Sequence, residues 1–271
     1  MNRLAIGAVV CGALAGGGCR EPAAGPGTTV SSSYLACAIA DLSSGAIPVE
    51  CLSGPGGCPG HFDIRPSQVK AIRRSVAFFC FDFQKGLGER IRDMGGSQVT
   101  VVTVKSGHGF GVPETYLGIC RDVAKHLAMV GLADRKQVEN RLRKVEERME
   151  SLARDARAKI HVAGMRGQPV LASGHQAAFC RWLGFKVVGT FQGGDAMRIG
   201  EMDELVRNGR NARVRLIVGN VPEGRQVADA LGAQLKAKVA MLENFPESRA
   251  AATGFDVMVR TNVERLVRSG S

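Results

Sequence analysis

The feature that most constrains the fold is a long charged segment in the middle of the chain, residues 134–160. It contains no Gly or Pro and is rich in Arg, Lys and Glu. Its apolar residues recur at spacings of three and four, the period of an amphipathic α-helix: Val138, Leu142, Val145, Met149, Leu152, Ala156 and Ile160. At 1.5 Å per residue this helix would be about 40 Å long. A coiled-coil dimerisation helix is one interpretation, and the one we favour is a rigid helix that joins two lobes.

The composition is that of a globular protein with room for two domains. The chain has 271 residues, of which 45% are hydrophobic and 23% are charged, enough for one large domain or two α/β domains. Its net charge of +11 would suit a nucleic-acid partner. However, the basic residues are spread along the chain, aromatic residues make up only 5%, and no nucleic-acid motif is present. We therefore expect a solvated basic surface and no nucleic-acid partner.

The N-terminus predicts export. A short charged start is followed by an apolar run at residues 4–14 and by small residues that lead to Cys19. This is the order of a secretory signal, and the run is too short to span a membrane stably. A cysteine at this place resembles the cleavage site of bacterial lipoproteins, so we expect a signal peptide over residues 1–18 and a lipid on Cys19. Residues 19–33 are rich in Gly, Pro and Ser and predict a flexible tether.

Six cysteines of the exported part follow Cys19: Cys37, Cys51, Cys58, Cys80, Cys120 and Cys180. Cysteines of an exported protein can form disulfides. Cys51 and Cys58 flank a loop of Gly and Pro, and they are the pair we favour for a disulfide. Cys80 lies in the apolar run VAFFCF and is expected to be a small buried residue.

Short apolar runs alternate with helical patterns on both sides of the central helix. Strands are expected at residues 34–40, 47–52, 76–81 and 98–104 before it, and at 169–172, 185–191, 214–218 and 239–242 after it. Such alternation predicts the α/β class, with parallel central sheets flanked by helices. We therefore expect two lobes joined by one long rigid helix: an N-terminal lobe over residues 34–132, the linking helix over 133–161 and a C-terminal lobe over 162–271.

Candidate metal ligands fall in loops that follow the predicted strands, where open α/β sheets bind their ligands. His61 and His108 lie in the N-terminal lobe, and His175 and Glu243 lie in the C-terminal lobe. Three imidazoles and one carboxylate suit Zn²⁺ in a closed tetrahedral site, with Mn²⁺ or Fe²⁺ as alternatives. Cys58, three residues before His61, is a fifth candidate ligand. Two ligands from each lobe would place the metal between the lobes.

Four segments resemble the solute-binding proteins of bacterial ABC importers for zinc and manganese. They are IPVECLSGPGGCPGHFDIRPSQVKAI around His61, SGHGFGVPETY around His108, SGHQAAFCRWLGFKVVG around His175 and VAMLENFPESRAAATGFDVMVRTNVERLV around Glu243. The resemblance covers residues 30–268, and Glu243 stands where Asp is usual in that family. It implies these four residues as metal ligands, a protein that is not an enzyme, and delivery of the metal to an ABC permease and its ATPase.

The function we expect is capture of Zn²⁺ or Mn²⁺ by an exported protein, periplasmic or at the cell surface, lipid-anchored to the membrane and monomeric. One alternative is a binding protein for an anionic metal chelate such as a siderophore or corrinoid, which the positive charge favours and the scarcity of aromatic residues disfavours. Another is a zinc-dependent hydrolase with Glu243 as general base. A third is an adhesin or a metal-buffering lipoprotein without a transport role.

Overall fold

The structure is a computed structural model that describes residues 27–53, 64–95, 99–193, 200–247 and 253–270. These residues form two α/β lobes that are joined by one long helix. Each lobe contains a parallel sheet of four strands with helices packed against it. The predicted fold class is therefore confirmed.

The N-terminal lobe has the strand order β2-β1-β3-β4, and all its strands are parallel. Strand β3 reads AFFCF and is buried along its whole length, as expected for a central strand covered on both faces. Pro113 opens the last helix at a first-turn position, where a missing backbone N–H costs nothing. The elements are β1 (Thr28–Val30), α1 (Ser33–Ser43), β2 (Val49–Cys51), α2 (Pro66–Arg74), β3 (Ala77–Phe81), α3 (Lys85–Gly95), β4 (Thr100–Val104) and α4 (Pro113–Met129).

The strand predicted at residues 34–40 is wrong, because this segment lies in helix α1. Its sequence, SYLACAIADLS, is buried on nearly all sides, so its apolar residues show no helical stripe. A short apolar run of this kind cannot be assigned to helix or strand from periodicity alone. The helix is marked by its caps: the Ser32 hydroxyl accepts from the Tyr34 N–H, and Ser44 ends the helix in a left-handed conformation.

The N-terminal strand of this lobe, β1, begins inside the predicted tether. Thr28 and Thr29 are buried, and the Thr28 hydroxyl donates to the carbonyl of Ala77 at 2.6 Å. That bond satisfies a polar group which burial would otherwise leave unpaired. The tether predicted over residues 19–33 is therefore too long, since residues 27–33 belong to the lobe. The predicted signal peptide and Cys19 lie outside the described residues.

The C-terminal lobe repeats this design with the strand order β6-β5-β7-β8, again all parallel. Strand β7 reads LIVGN and is fully buried. The elements are β5 (Pro169–Ser173), α6 (Gly174–Leu183), β6 (Lys186–Phe191), α7 (Glu201–Asn211), β7 (Leu216–Asn220), α8 (Gln226–Leu235), β8 (Lys238–Leu242) and α9 (Gly254–Gly270). Most of the strands and helices of this lobe match their predicted positions to within a few residues.

The linking helix, α5, spans Arg135–Val162 and is capped by Asp134, whose side chain accepts from the Gln137 N–H at 3.0 Å. Its predicted apolar stripe is buried, apart from the partly buried Leu142. The stripe packs against α4, α1 and α9 and belongs to one hydrophobic core that runs through both lobes. The coiled-coil interpretation is therefore wrong: the stripe is covered by the chain itself.

A single arginine of α5 ties the two lobes together. Arg148 forms an ion pair with Asp41 of α1, and its Nε lies 3.1 Å from Asp256 Oδ2 at the start of α9. Both carboxylates are buried. Asp41 also accepts hydrogen bonds from the Tyr116 hydroxyl at 2.8 Å and from the Thr253 N–H at 3.0 Å. Burial raises the pKa of the Asp256 carboxyl, and the charge of Arg148 opposes that rise.

Replacing Arg148 with Ala is expected to cost about 3–5 kcal/mol of stability, because two buried carboxylates lose their cation. Arg135→Ala is the matched control on the same helix, since Arg135 pairs with Glu139 on the exposed surface and such pairs contribute less than about 1 kcal/mol. Urea denaturation of both variants measures the difference. Equal free energies of unfolding for the two variants would contradict the role given to Arg148.

Candidate metal-binding site

The candidate residues of the described chain lie at the carboxyl ends of the strands, as the sequence predicts. His108 follows β4 in the N-terminal lobe. In the C-terminal lobe His175 follows β5, and Glu243 directly follows β8. In parallel sheets all carboxyl ends lie at one edge, so each lobe presents its candidates at one edge.

The loop that carries His108 packs against the helix that carries His175. Gly109 has a φ of +73°, and a Cβ placed on it would lie 2.6 Å from the Cβ of Ala178. Ala178 comes three residues after His175 and therefore lies on the same face of α6. The loop is braced from its own lobe by the Thr115 hydroxyl, which donates to the His108 carbonyl at 2.6 Å. The structure thus brings His108 and His175, which are both exposed, to the same region between the lobes.

The first turn of α6 places His175 beside a carboxylate. Ser173 caps the helix, and its hydroxyl oxygen accepts from the His175 N–H at 3.3 Å. The same hydroxyl donates to Glu223 Oε2 at 2.5 Å. The other oxygen of that carboxylate, Oε1, lies 3.7 Å from His175 Nε2. An imidazole nitrogen and a carboxylate oxygen at this separation can bind one transition-metal ion, because each needs to be only about 2 Å from it.

The sequence analysis does not select Glu223 as a candidate. In the structure α8 begins at Gln226, and Glu223 ends a short 3-10 turn, Val221–Glu223. That turn directly follows β7. The rule that selected His175 and Glu243, a polar residue after the carboxyl end of a strand, would also have selected Glu223 had β7 been extended to its true end at Asn220.

The Glu243 carboxylate forms an ion pair with an arginine of α9. Its Oε1 pairs with Arg265 Nη1 of α9 at 2.8 Å. Its backbone is fixed by the Asn262 side chain, which accepts from the Glu243 N–H at 2.8 Å and donates to its carbonyl at 2.9 Å. Gln176 Nε2 donates to the same carbonyl at 3.2 Å. The structure thus places the Glu223 carboxylate beside His175 and pairs the Glu243 carboxylate with Arg265.

Two of the predicted ligands, His61 and Cys58, lie outside the described residues, so the Cys51–Cys58 disulfide also remains a prediction. Within the described ranges, no group of three or more His, Cys, Asp or Glu side chains is placed to hold a metal ion. Burial raises the pKa of the thiols of Cys37 and Cys180 to about 12 and of Cys80 to about 11. At neutral pH these buried thiols are therefore protonated, whereas the thiolate is the form that binds metal.

Aromatic rings from both lobes pack against one another next to this region. Tyr34 of α1 lies 5.0 Å from the Phe110 ring and 6.1 Å from the Phe245 ring, centroid to centroid. Its hydroxyl donates to the carbonyl of Asn244 at 2.8 Å. Burial raises the pKa of Tyr34, so the hydroxyl remains a donor. The loops after β4 and β8 therefore rest on one buried side chain from α1.

Two α/β lobes joined by a long helix, with polar side chains at the strand ends between them, define a solute-binding protein. The sequence profile of the family described as "Zinc-uptake complex component A periplasmic" matches residues 29–269. The chain belongs to that family.

Solved structures share the fold at low sequence identity. The manganese-bound periplasmic metal-binding protein of Candidatus Liberibacter asiaticus is 13% identical with a TM-score of 0.76, and the match covers 91% of this chain and all of that one. The cadmium-bound form of that protein matches equally well. A ZnuA crystal structure is 15% identical with a TM-score of 0.75, over 91% of this chain and 99% of that one. Among curated proteins, none matches the chain by sequence.

In the ranges that the structure describes, every helix is too short or too polar to cross a bilayer.

Replacing Gly109 with Ala is expected to destabilise the protein more than the same change at Gly131. Both glycines have φ near +70°, where a side chain costs about 1 kcal/mol. Only the Cβ at position 109 would also collide with α6, which adds about 1–3 kcal/mol, whereas none of the described atoms lies within 4 Å of a Cβ at 131. Chemical denaturation measures both. If the two variants unfold at the same denaturant concentration, the His108 loop does not press on α6.

Proposed function

We propose that this protein captures a divalent transition metal, Zn²⁺ in preference to Mn²⁺, between its two lobes. The observation that carries the proposal is the pairing of His175 with Glu223 beneath the loop of His108. A nitrogen and an oxygen donor are adjacent on one lobe, and the loop that carries His108 of the other lobe packs against the helix of His175. Membership of the zinc-uptake family supports the same conclusion.

The ligand set we propose is His61 and His108 from the N-terminal lobe with His175 and Glu223 from the C-terminal lobe. Glu243 was the carboxylate expected from the sequence, and its ion pair with Arg265 favours its replacement by Glu223 in this set. Three neutral imidazoles and one carboxylate leave a net charge of about +1 after a divalent ion binds. All four positions of a tetrahedral ion are then filled by protein, which suits carriage of the metal rather than hydrolysis.

The choice of Zn²⁺ rests on the donors. Imidazole nitrogen suits Zn²⁺, whereas Mn²⁺ favours sites richer in oxygen. Among the solved structures, one periplasmic metal-binding protein is described as bound to manganese and to cadmium. A ZnuA deletion mutant is described as bound to zinc. Glu243 as general base of a zinc hydrolase is disfavoured, because Arg265 occupies its carboxylate.

The loaded protein would deliver its metal to an ABC permease driven by an ATPase. As the sequence predicts, it would be exported, held at the membrane by a lipid on Cys19, and monomeric. A permease gene and an ATPase gene beside the gene for this chain would support delivery over simple metal buffering.

Protein produced in zinc-replete medium is expected to contain about one Zn²⁺ per chain by elemental analysis. Glu223→Gln should weaken Zn²⁺ binding by more than about 100-fold, beyond the 10- to 100-fold range of residues that act only around the ligands. Glu243→Gln is the matched control and should leave the affinity within a few-fold of the unsubstituted protein. Competition with a chelator of known affinity measures all three.

Absence of stoichiometric metal would rule out the proposed function. A loss of affinity in Glu243→Gln with none in Glu223→Gln would restore the ligand set expected from the sequence. Melting temperatures of the apo variants show whether either substitution acts through folding.

A further inference from the structure

The amino ends of the strands in the N-terminal lobe form a surface at the edge of the sheet opposite to the one that carries His108. The segment 43–50 runs from the end of α1 into β2 at this edge. The described chain also begins here: the Thr28 N–H donates to the Pro48 carbonyl at 2.9 Å, and a Cβ on Gly27 would lie 3.0 Å from the same oxygen. The first half of the segment lines one cavity and the second half lines another. We call the segment and these two cavities the basal surface.

The basal surface is positively charged. Its cavities are lined by four exposed basic side chains, Lys70 and Arg74 of α2 and Arg141 and Lys144 of α5. Among the described residues that line the cavities, Glu50 is the one acid. No carboxylate in the described ranges forms an ion pair with any of these four cations. Neutralisation of their charge is therefore left to solvent or to an anionic partner.

Two of these cations repel each other across one turn of α2, a helix that contains no acidic residue. Lys70 and Arg74 are four residues apart, so they share one face of the helix, and like charges at this spacing destabilise a helix. On the exposed face of α5 the same spacing holds an attractive pair, Arg135 with Glu139. An anionic surface placed against α2 would attract Lys70 and Arg74 together and offset their mutual repulsion.

The predicted lipid anchor is close to the basal surface along the chain. Cys19 precedes Gly27 by eight residues, and a stretch of this length spans at most about 29 Å when fully extended. Because the described chain begins at the basal surface, a lipid on Cys19 would keep this surface within that distance of the bilayer. Basic side chains attract an anionic bilayer within about one Debye length, roughly 10 Å at 0.1 M salt. The connection is therefore short enough to hold the basal surface near the membrane and long enough to let it dock.

We propose that the basal surface binds the headgroups of an anionic lipid bilayer, so that the protein docks on the membrane to which its lipid anchors it. The inference takes from the proposed function only the lipid on Cys19, and it does not depend on the metal site. Each basic residue near an anionic lipid surface strengthens binding by about fivefold. In this orientation the N-terminal lobe turns its opposite edge, with the loop of His108, away from the bilayer.

The test is flotation of the protein with lipid vesicles. The chain from Cys19 onward, which is the predicted mature protein, is produced without export so that Cys19 carries no lipid and only the protein surface can bind. Vesicles of phosphatidylglycerol and phosphatidylcholine in equal parts should bind it, and vesicles of phosphatidylcholine alone should not. Binding should be lost when salt is raised from about 0.1 M to about 1 M, where the Debye length falls to about 3 Å. Equal binding to the two kinds of vesicle would overturn the inference.

Two double variants with the same change of charge separate the basal surface from net charge. Lys70→Ala with Arg74→Ala should weaken binding to the anionic vesicles by about 25-fold, since two fivefold contributions are lost. The corresponding double variant of the two basal residues of α5 should have a similar effect. Arg207→Ala with Arg210→Ala is the matched control, because it removes two exposed basic residues from α7 of the C-terminal lobe and should change binding by less than about twofold. If all these variants weaken binding equally, net charge alone attracts the lipid and the inference is wrong.

Other partners and failure of the metal proposal give different results. Soluble poly-glutamate is the probe for an acidic protein partner. If it binds the chain through Lys70 and Arg74 while the anionic vesicles do not bind, the partner is a protein and the membrane inference is overturned. Melting temperatures show that the variants are folded, and elemental analysis gives their Zn²⁺ content. Loss of vesicle binding with about one Zn²⁺ per chain retained contradicts only the docking surface, whereas vesicle binding without stoichiometric metal contradicts only the proposed function.

Discussion

The ion pairs of Arg148 fix the geometry on which the rest of the protein depends. One guanidinium on the linking helix holds Asp41 from the first lobe and Asp256 from the second. Charges buried at such a junction are costly unless each has its partner, so the network specifies one arrangement of the lobes. The hydrophobic core is continuous through α5, and it also favours this one arrangement of the lobes. The lobes are therefore joined as one body.

That arrangement brings the loop of His108, from the N-terminal lobe, against the helix that carries His175. The Gly109 turn touches α6, and the first turn of α6 places His175 beside Glu223. The ring of Tyr34 packs against Phe110 and Phe245, in the loops after β4 and β8. A metal captured here would be bound by short loops on rigid elements, so binding would order side chains more than it would close a hinge. This suits a carrier that must bind tightly and still release its metal to a partner.

The sequence predicts the architecture better than it predicts the site. Periodicity identifies α5 because its seven apolar positions form a stripe, and the stripe is buried as expected. It fails at α1, whose alanines and cysteine are buried on every side and so carry no period. Arg148 lies at the border of the stripe and looks like any other charge of a solvated helix. The sequence does not single out Glu223, because its place after a strand depends on where β7 ends. That boundary is set by tertiary pairing with β5 and β8 rather than by local sequence.

The most direct test of a metal shared between the lobes is an anomalous-difference map, recorded at the zinc absorption edge from crystals of the metal-loaded protein. The account predicts one strong peak at about 2.0–2.2 Å from His175 Nε2 and Glu223 Oε1, with an imidazole of the N-terminal lobe completing its shell. A peak bound by only one lobe, or one bound by Glu243 with its Arg265 ion pair broken, would contradict it.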